Sequence, residues 1–109
     1  MAFSEDLASR IREILGDEKN VDERKMFGGL AFMVDGHMCC GVTGDDLMLR
    51  LGEEGAQRAV DKPHVRPMDF TGRPMKGYVF VGPPATKTEA MLSRWVGQAR
   101  DFVRTLAPR

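Results

Sequence analysis

Between residues 24 and 51, short apolar segments alternate with residues typical of tight turns, and this pattern constrains the fold more than any other feature. Asp35-Gly36 supplies the positive φ angles of a tight hairpin, and Gly44 marks the next reversal. The chain should therefore contain a three-stranded antiparallel meander. The predicted strands lie near residues 25–34, 37–42 and 46–51.

Two adjacent glycines, Gly28 and Gly29, interrupt the first of these apolar segments beside Arg24 and Lys25. A phosphate-binding loop needs its glycines between a strand and a helix N-terminus, whereas here a strand is predicted to follow. Neither a GxGxxG motif nor a trailing Gly-Lys-Ser/Thr is present. The pair therefore favours a β-bulge or a close backbone contact under the first helix over nucleotide binding.

Three segments predict helices. The first has apolar residues at helical spacing, with Ser4 as its N-cap and Gly16 suited to end it in the left-handed conformation. A weak, short helix is predicted over residues 52–60. The last helix has the strongest 3.6-residue periodicity of apolar residues in the chain. We expect it to start at Thr86, because Thr86 and Glu89 have the spacing of a capping box, in which each side chain bonds the backbone amide of the other residue.

Two more strands, HVRPMDF and PMKGYVFV, are predicted around a turn at Thr71-Gly72-Arg73. Pro67 is expected at an edge or a bulge, because proline donates no ladder hydrogen bond. The order α-β-β-β-α-β-β-α predicts a two-layer α+β domain, with a five-stranded antiparallel sheet and helices packed on one face. A chain of 109 residues is long enough for one core, so residues 1–109 are expected to form a single domain.

Charge and hydropathy limit the classes of function. Sixteen basic residues balance sixteen acidic residues, so the chain has no overall positive field to attract nucleic acid without sequence preference. No segment approaches the ~18 consecutive apolar residues of a membrane span, and the N-terminus lacks the pattern of a signal peptide. We therefore expect a cytoplasmic protein that has no membrane partner.

His37, Cys39 and Cys40 lie close together and raise the question of a metal site or a thiol nucleophile. Zinc is disfavoured because there is no CxxC pair and His64 is the only other histidine. A catalytic Cys–His pair lacks a recognisable orienting group. We expect no metal, no cofactor and no catalytic residue, with reduced thiols, one in the core and one on the opposite strand face.

Four basic residues, together with two aromatic residues of the last strand, are candidates for a phosphate-contacting surface. Arginines on solvated sheet faces are usually only hydrated, and the zero net charge lowers the expectation of nucleic-acid binding. Direct nucleic-acid binding thus stays an open alternative. The candidates are Arg50, Arg66, Arg73 and Lys76.

Three stretches, RKMFGGLAFMVDG, MCCGVTGDDLMLRL and GRPMKGYVFV, together with the helix that holds Trp95, resemble the N-terminal domain of the TfoX/Sxy family of bacterial competence regulators. The resemblance implies an α+β fold similar in layout to secretion-chaperone-like domains. It also implies a role as a transcriptional coactivator that works with the cyclic-AMP receptor protein, and it transfers no catalytic residue. Those regulators carry a second, helical domain, which we do not expect within residues 1–109.

The resemblance and the doubly apolar first strand together favour a non-enzymatic regulatory or protein-interaction domain, a homodimer that could also contact a transcription factor. The alternatives are direct nucleic-acid binding and, less favoured, a thiol-dependent enzyme or small-ligand binder. The interface candidates are Phe32, Met33, Met38, Cys39 and Cys40.

Overall fold

The computed structural model describes residues 3–26, 28–70 and 73–107, with the backbone alone at residues 70, 73 and 74. Within these residues the chain forms one antiparallel six-stranded sheet in the order β1-β2-β3-β4-β6-β5, three α-helices and a 3₁₀ turn. The elements in chain order are α1 (Glu5–Ile14), β1 (Val21–Met26), β2 (Gly29–Val34), β3 (His37–Thr43), β4 (Asp46–Arg50), α2 (Gly52–Ala59), β5 (Val65–Phe70), β6 (Arg73–Val81), the 3₁₀ turn (Pro83–Thr86) and α3 (Glu89–Val103).

The prediction of an α+β fold with one antiparallel sheet is confirmed, but the sheet has six strands where five were expected. The glycine pair divides the predicted first strand: β1 and β2 pair antiparallel, with Met26 opposite Gly29. Between them Gly28 has a φ of +72°, which L side chains rarely adopt. The extra strand escaped notice because its sequence, VDERKM, is almost entirely polar and solvated at the edge of the sheet.

Gly29 allows a close backbone approach, as the sequence indicated, but the neighbour is β3 and not the first helix. A Cβ atom at this position would overlap the carbonyl oxygen of Val42 and lie 2.8 Å from the Oγ1 of Thr43. The two glycines therefore serve different purposes, one conformational and one steric.

The N-terminal helix starts as predicted, because the backbone N–H of Leu7 donates to the Oγ of Ser4 at 3.1 Å. Its end differs from the prediction: the C-cap is Leu15 at φ −88°, and Gly16 is not in the left-handed region. The first helix therefore ends without a left-handed glycine.

The last helix begins two residues later than the capping-box pattern suggested. Its N-cap is Thr88, whose Oγ1 accepts from the backbone N–H of Met91 at 3.1 Å. Thr86 instead belongs to the 3₁₀ turn, which two prolines start, and its hydroxyl donates to the carbonyl of Pro83 at 3.2 Å. None of the described helices is long and apolar enough to cross a membrane.

The strand β5 is an edge strand, and its register against β6 shifts between Pro67 and Asp69, so both predictions for Pro67 are confirmed. Opposite this shift, Gly77 of β6 adopts a φ of +85° and its Cβ position lies 3.2 Å from the backbone of Gly52. Residues 71 and 72 of the predicted turn lie outside the described residues, and Arg73, also expected in the turn, is instead the first residue of β6.

The sheet separates two apolar clusters. The larger one joins the sheet to the helices, and all three α-helices contribute to it; completely buried members include Ile11, Leu92 and Val96 from helices and Leu47 and Leu49 from β4. The core that holds the fold together therefore lies between the sheet and the helices.

The second cluster lies on the other side of the sheet and contains no residue of a described helix. Six of the eight methionines belong to it, and they cover one another, so that Met48 and Met68 are almost completely buried. We call this surface the open sheet face. Its members are Ala31, Met33, Met38, Met48 and Met68, with half-buried Met26, Met75, Tyr78 and Phe80 at its borders.

Candidate functional site

A β-bulge places both cysteines on the helix-covered side of the sheet. Phe32 pairs with Cys40 and Met33 pairs with Met38, which leaves Cys39 as the extra residue of β3. Both cysteines belong to the cluster beneath the helices and are completely buried. The prediction that they lie on opposite faces is therefore wrong, because strand alternation fails at a bulge.

The buried thiols do not have the properties of a nucleophile. A hydrogen bond with Cys39, then burial, raise the pKa of Cys40 well above its ordinary value, so the reactive thiolate is scarce at neutral pH. The Nε2 of His37 contacts the carbonyl oxygen of Ala107 at 2.6 Å, and no described hydrogen bond joins His37 to either thiol. Among the described residues there is no group of three or more potential metal ligands from His, Cys, Asp and Glu.

The five interface candidates separate into two sets. Phe32, Cys39 and Cys40 are completely buried beneath the helices, so this part of the interface hypothesis is corrected: their side chains are not on the surface. Met33 and Met38 lie on the open sheet face, where they are 8% and 5% exposed. Regular alternation along β2 separates Phe32 from Met33, and the bulge in β3 places both cysteines on the side opposite Met38.

Charged residues beside the open sheet face are mostly paired. Arg66 donates to Asp46 at 2.6 Å, and its guanidinium lies 4.7 Å from the centre of the Phe80 ring. On β1, Arg24 pairs with Asp22 at 3.1 Å. This border therefore carries both signs of charge.

Arg50 is an exception among these basic groups. Its guanidinium lies 5.6 Å from the ring centre of Tyr78 and 5.8 Å from that of Phe102, and no described carboxylate pairs with it. Lys76 is exposed on β6, and the side chain of Arg73 lies outside the described residues. Of the four nucleic-acid candidates, the structure thus places Arg50 and Arg66 against aromatic rings that border the open sheet face.

Comparison with models of known protein families assigns the chain to a family. Residues 13–103 match the family described as the TfoX N-terminal domain. The chain belongs to the TfoX N-terminal domain family. A search of curated proteins and a search of solved structures found no match. The family resemblance seen in the sequence is thereby confirmed, whereas the expected likeness to secretion-chaperone-like domains stays a prediction.

This TfoX N-terminal domain also has a cleft of about 420 Å³ where the open sheet face meets α2. Met68, Met75 and Tyr78 line one side, α2 contributes Ala56, and Val60 follows directly after the helix. The cleft lies beside the register shift between β5 and β6, since Pro67 and Gly77 also line it. Sequence reasoning missed it because its lining comes from α2, β5 and β6, which no local pattern brings together.

Proposed function

We propose that this TfoX N-terminal domain is a non-enzymatic regulatory module that binds another protein through its open sheet face. One observation carries the proposal: helices cover one side of the six-stranded sheet, and the other side presents a cluster of methionines with aromatic borders. The central residues of this face are buried, and its half-buried border of Met26, Met75, Tyr78 and Phe80 is the apolar surface that a partner could contact.

The chemistry of the face suits a partner surface that varies in shape. Methionine is unbranched and flexible, so a methionine cluster repacks at low cost against different apolar shapes. Half-buried Met75, Tyr78 and Phe80 are accessible to a partner, and they pack against the cluster that contains buried Met48 and Met68. Because the methionines already cover one another, the face is compatible with a folded protomer before binding.

Within this proposal the partner is a second copy of the chain or a transcription factor, and the setting is the cytoplasm. The transcriptional role follows from family resemblance: the competence regulators of this family act as coactivators. The open sheet face supports the mode of action, binding by contact, and the identity of the partner is a matter for experiment.

The first test is the molar mass of the chain by light scattering at micromolar concentration, followed by capture of partners on the tagged chain with and without nuclease. Met75→Glu, which places a charge on the open sheet face, should abolish the dimer or lose the captured transcription factor. Ser9→Glu adds the same charge to an exposed position of α1 and should leave both unchanged. Binding that survives Met75→Glu at full strength would contradict the proposal.

A second candidate function, direct nucleic-acid binding, is favoured by one specific observation. The guanidinium of Arg50 lies 5.6 Å and 5.8 Å from two aromatic ring centres and has no described carboxylate partner, which leaves its charge available for a phosphate. Arg50→Ala should then weaken binding to an oligonucleotide and reduce its salt dependence. Arg58→Ala, which removes an exposed charge from α2, is the control. Absent or salt-independent binding would remove this candidate.

A further inference from the structure

A second cleft, of about 260 Å³, lies between α3, the 3₁₀ turn and the connection from α2 to β5. Four side chains spaced three or four residues apart on α3 form one wall, which runs for about 10 Å along the helix. No member of the open sheet face lines this cleft. The residues of the α3 wall are Met91, Arg94, Trp95 and Gln98.

The walls of this cleft are held in place before any ligand arrives. The indole N–H of Trp95 donates to the carbonyl oxygen of Ala85 at 3.2 Å, which fixes the ring against the 3₁₀ turn. On the opposite wall, the backbone N–H of Gly82 donates to the carbonyl of His64 at 2.8 Å. Two prolines stiffen the lining further. A ligand therefore meets a formed surface and orders little of the chain when it binds.

The ionisable side chains that line the cleft are Lys62, His64 and Arg94, and no carboxylate is among the lining residues. The ammonium of Lys62 lies 5.4 Å from the centre of the Trp95 ring. Neither Lys62 nor Arg94 forms an ion pair with any described residue. In a chain of zero net charge, this local surplus of positive charge complements an acidic ligand.

The same cleft offers apolar surface beside the charges. Met91 is 37% exposed and is the one large apolar side chain that is exposed among the described residues. Together with Trp95 and Ala85 it forms an apolar floor between the basic groups. An apolar centre within a polar border is the arrangement that holds the anchor residue of a protein partner.

We infer that this cleft binds an acidic segment of a partner protein, with one large apolar side chain against Trp95 and flanking carboxylates on Lys62 and Arg94. The groove geometry favours a peptide, because the α3 wall extends over two helical turns and is open to solvent. This inference does not rest on the open sheet face, so each can fail without the other.

The experiment uses the emission of Trp95, the single tryptophan of the chain, as a reporter inside the cleft. The probe is a hexapeptide with blocked ends, Asp-Asp-Leu-Phe-Asp-Asp. It should change the emission saturably. Two comparison peptides, one with Asn for each Asp and one with Ser-Ser for Leu-Phe, should each bind about fivefold to tenfold more weakly.

Charge reversal then tests the basic groups. The double variant Lys62→Glu with Arg94→Glu should weaken binding of the acidic peptide about tenfold or more, since two attractions become repulsions. A control, Lys19→Glu with Arg58→Glu, has the same net charge and alters exposed positions outside the cleft. The milder pair Lys62→Gln with Arg94→Gln should also weaken binding, and it guards against a folding defect in the charge-reversed variant.

Four results would overturn the inference. The first is an unchanged Trp95 emission with acidic peptide up to about 1 mM, and the second is equal affinity for the acidic peptide and the peptide without carboxylates. The third is a control variant that loses as much affinity for the acidic peptide as the charge-reversed variant does. The fourth is tighter binding of a single-stranded oligothymidylate than of the acidic peptide. The last result would assign the basic groups to nucleic acid.

Discussion

Replacing the two adjacent glycines separately should give two very different losses of stability. Gly29→Ala places a methyl group against the carbonyl oxygen of Val42 and 3.0 Å from the Cα of Thr43, and both obstacles are backbone atoms of β3. Gly28→Ala meets no atom within 4 Å and is opposed only by its φ of +72°. The first substitution therefore tests packing between strands, and the second tests backbone conformation.

The size of each loss of stability depends on which part of the backbone must move to accept the new side chain. To accept Ala at position 29, β2 and β3 must separate, which costs about 1–3 kcal/mol of overpacking and about 1 kcal/mol for a weakened cross-strand hydrogen bond. We expect a decrease of about 2–4 kcal/mol in the free energy of unfolding for Gly29→Ala. For Gly28→Ala the left-handed conformation alone costs about 1 kcal/mol, and Asn at the same position should cost less.

The assay is reversible unfolding in urea or by heat, followed by far-UV circular dichroism. For a domain of this size about 1 kcal/mol corresponds to roughly 4 °C in Tm. Gly29→Ala should therefore lower Tm by about 8–16 °C, and Gly28→Asn by less than about 4 °C. If Gly29→Ala were as stable as Gly28→Asn, the close approach of β2 and β3 would be refuted as the reason for the second glycine.

Three further predictions concern single side chains. Because both thiols are completely buried and the pKa of Cys40 is raised, they should react with a colorimetric disulfide reagent at pH 8 only after denaturant is added. Rapid labelling of the folded chain would contradict the buried arrangement. The hydrogen bond from α1 lowers the pKa of Glu23 below its ordinary 4.5, so its stabilisation is present above that pH and is lost as the pH falls through the folded-state pKa. Glu23→Gln should accordingly lower the free energy of unfolding by up to roughly 0.5 kcal/mol at pH 7, a value limited by solvent screening. In acid, below the folded-state pKa, it should leave the free energy of unfolding unchanged, and urea unfolding under the two conditions measures the difference. Trp95→Phe loses the hydrogen bond to Ala85 and should lower the free energy of unfolding by about 1–2 kcal/mol, whereas an unchanged urea midpoint would show that this bond contributes little.

Most of the elements were predictable because their signals are local. The Asp35-Gly36 turn, the N-cap at Ser4 and the edge position of Pro67 each depend on the conformational preferences of one or two residues. These preferences hold wherever the surrounding chain lies. The hairpin between β2 and β3, the start of α1 and the shifted register of β5 therefore agree with the sequence-based expectations.

The failures share a different cause. The strand β1 is polar and was missed because pairing with β2, and not its own periodicity, makes it a strand. Thr86 and Thr88 are both suitable N-caps, and the 3₁₀ turn at the prolines decides in favour of the second. For β1 and for the start of α3, the deciding interaction lies outside the segment itself.

The candidate surfaces depended still more on tertiary structure. A single extra residue in β3, Cys39, places both thiols in the core while Met38 lies on the open sheet face, whereas Phe32 and Met33 of β2 lie on opposite faces by regular alternation. Strand alternation predicts faces only while the ladder is regular. A bulge depends on the partner strand, and its position is not visible in one segment alone.

By itself, the sequence determined the family, the α+β class and the positions of most turns and helices, because turn conformation, capping and periodicity act over a few residues. Only the tertiary structure decided which residues meet: the methionines on one face, Arg50 near the rings of Tyr78 and Phe102, and Lys62 in one cleft with Trp95 and Arg94. The physical reason is that these neighbours are distant in the chain, and their contact follows from strand order, register and helix docking.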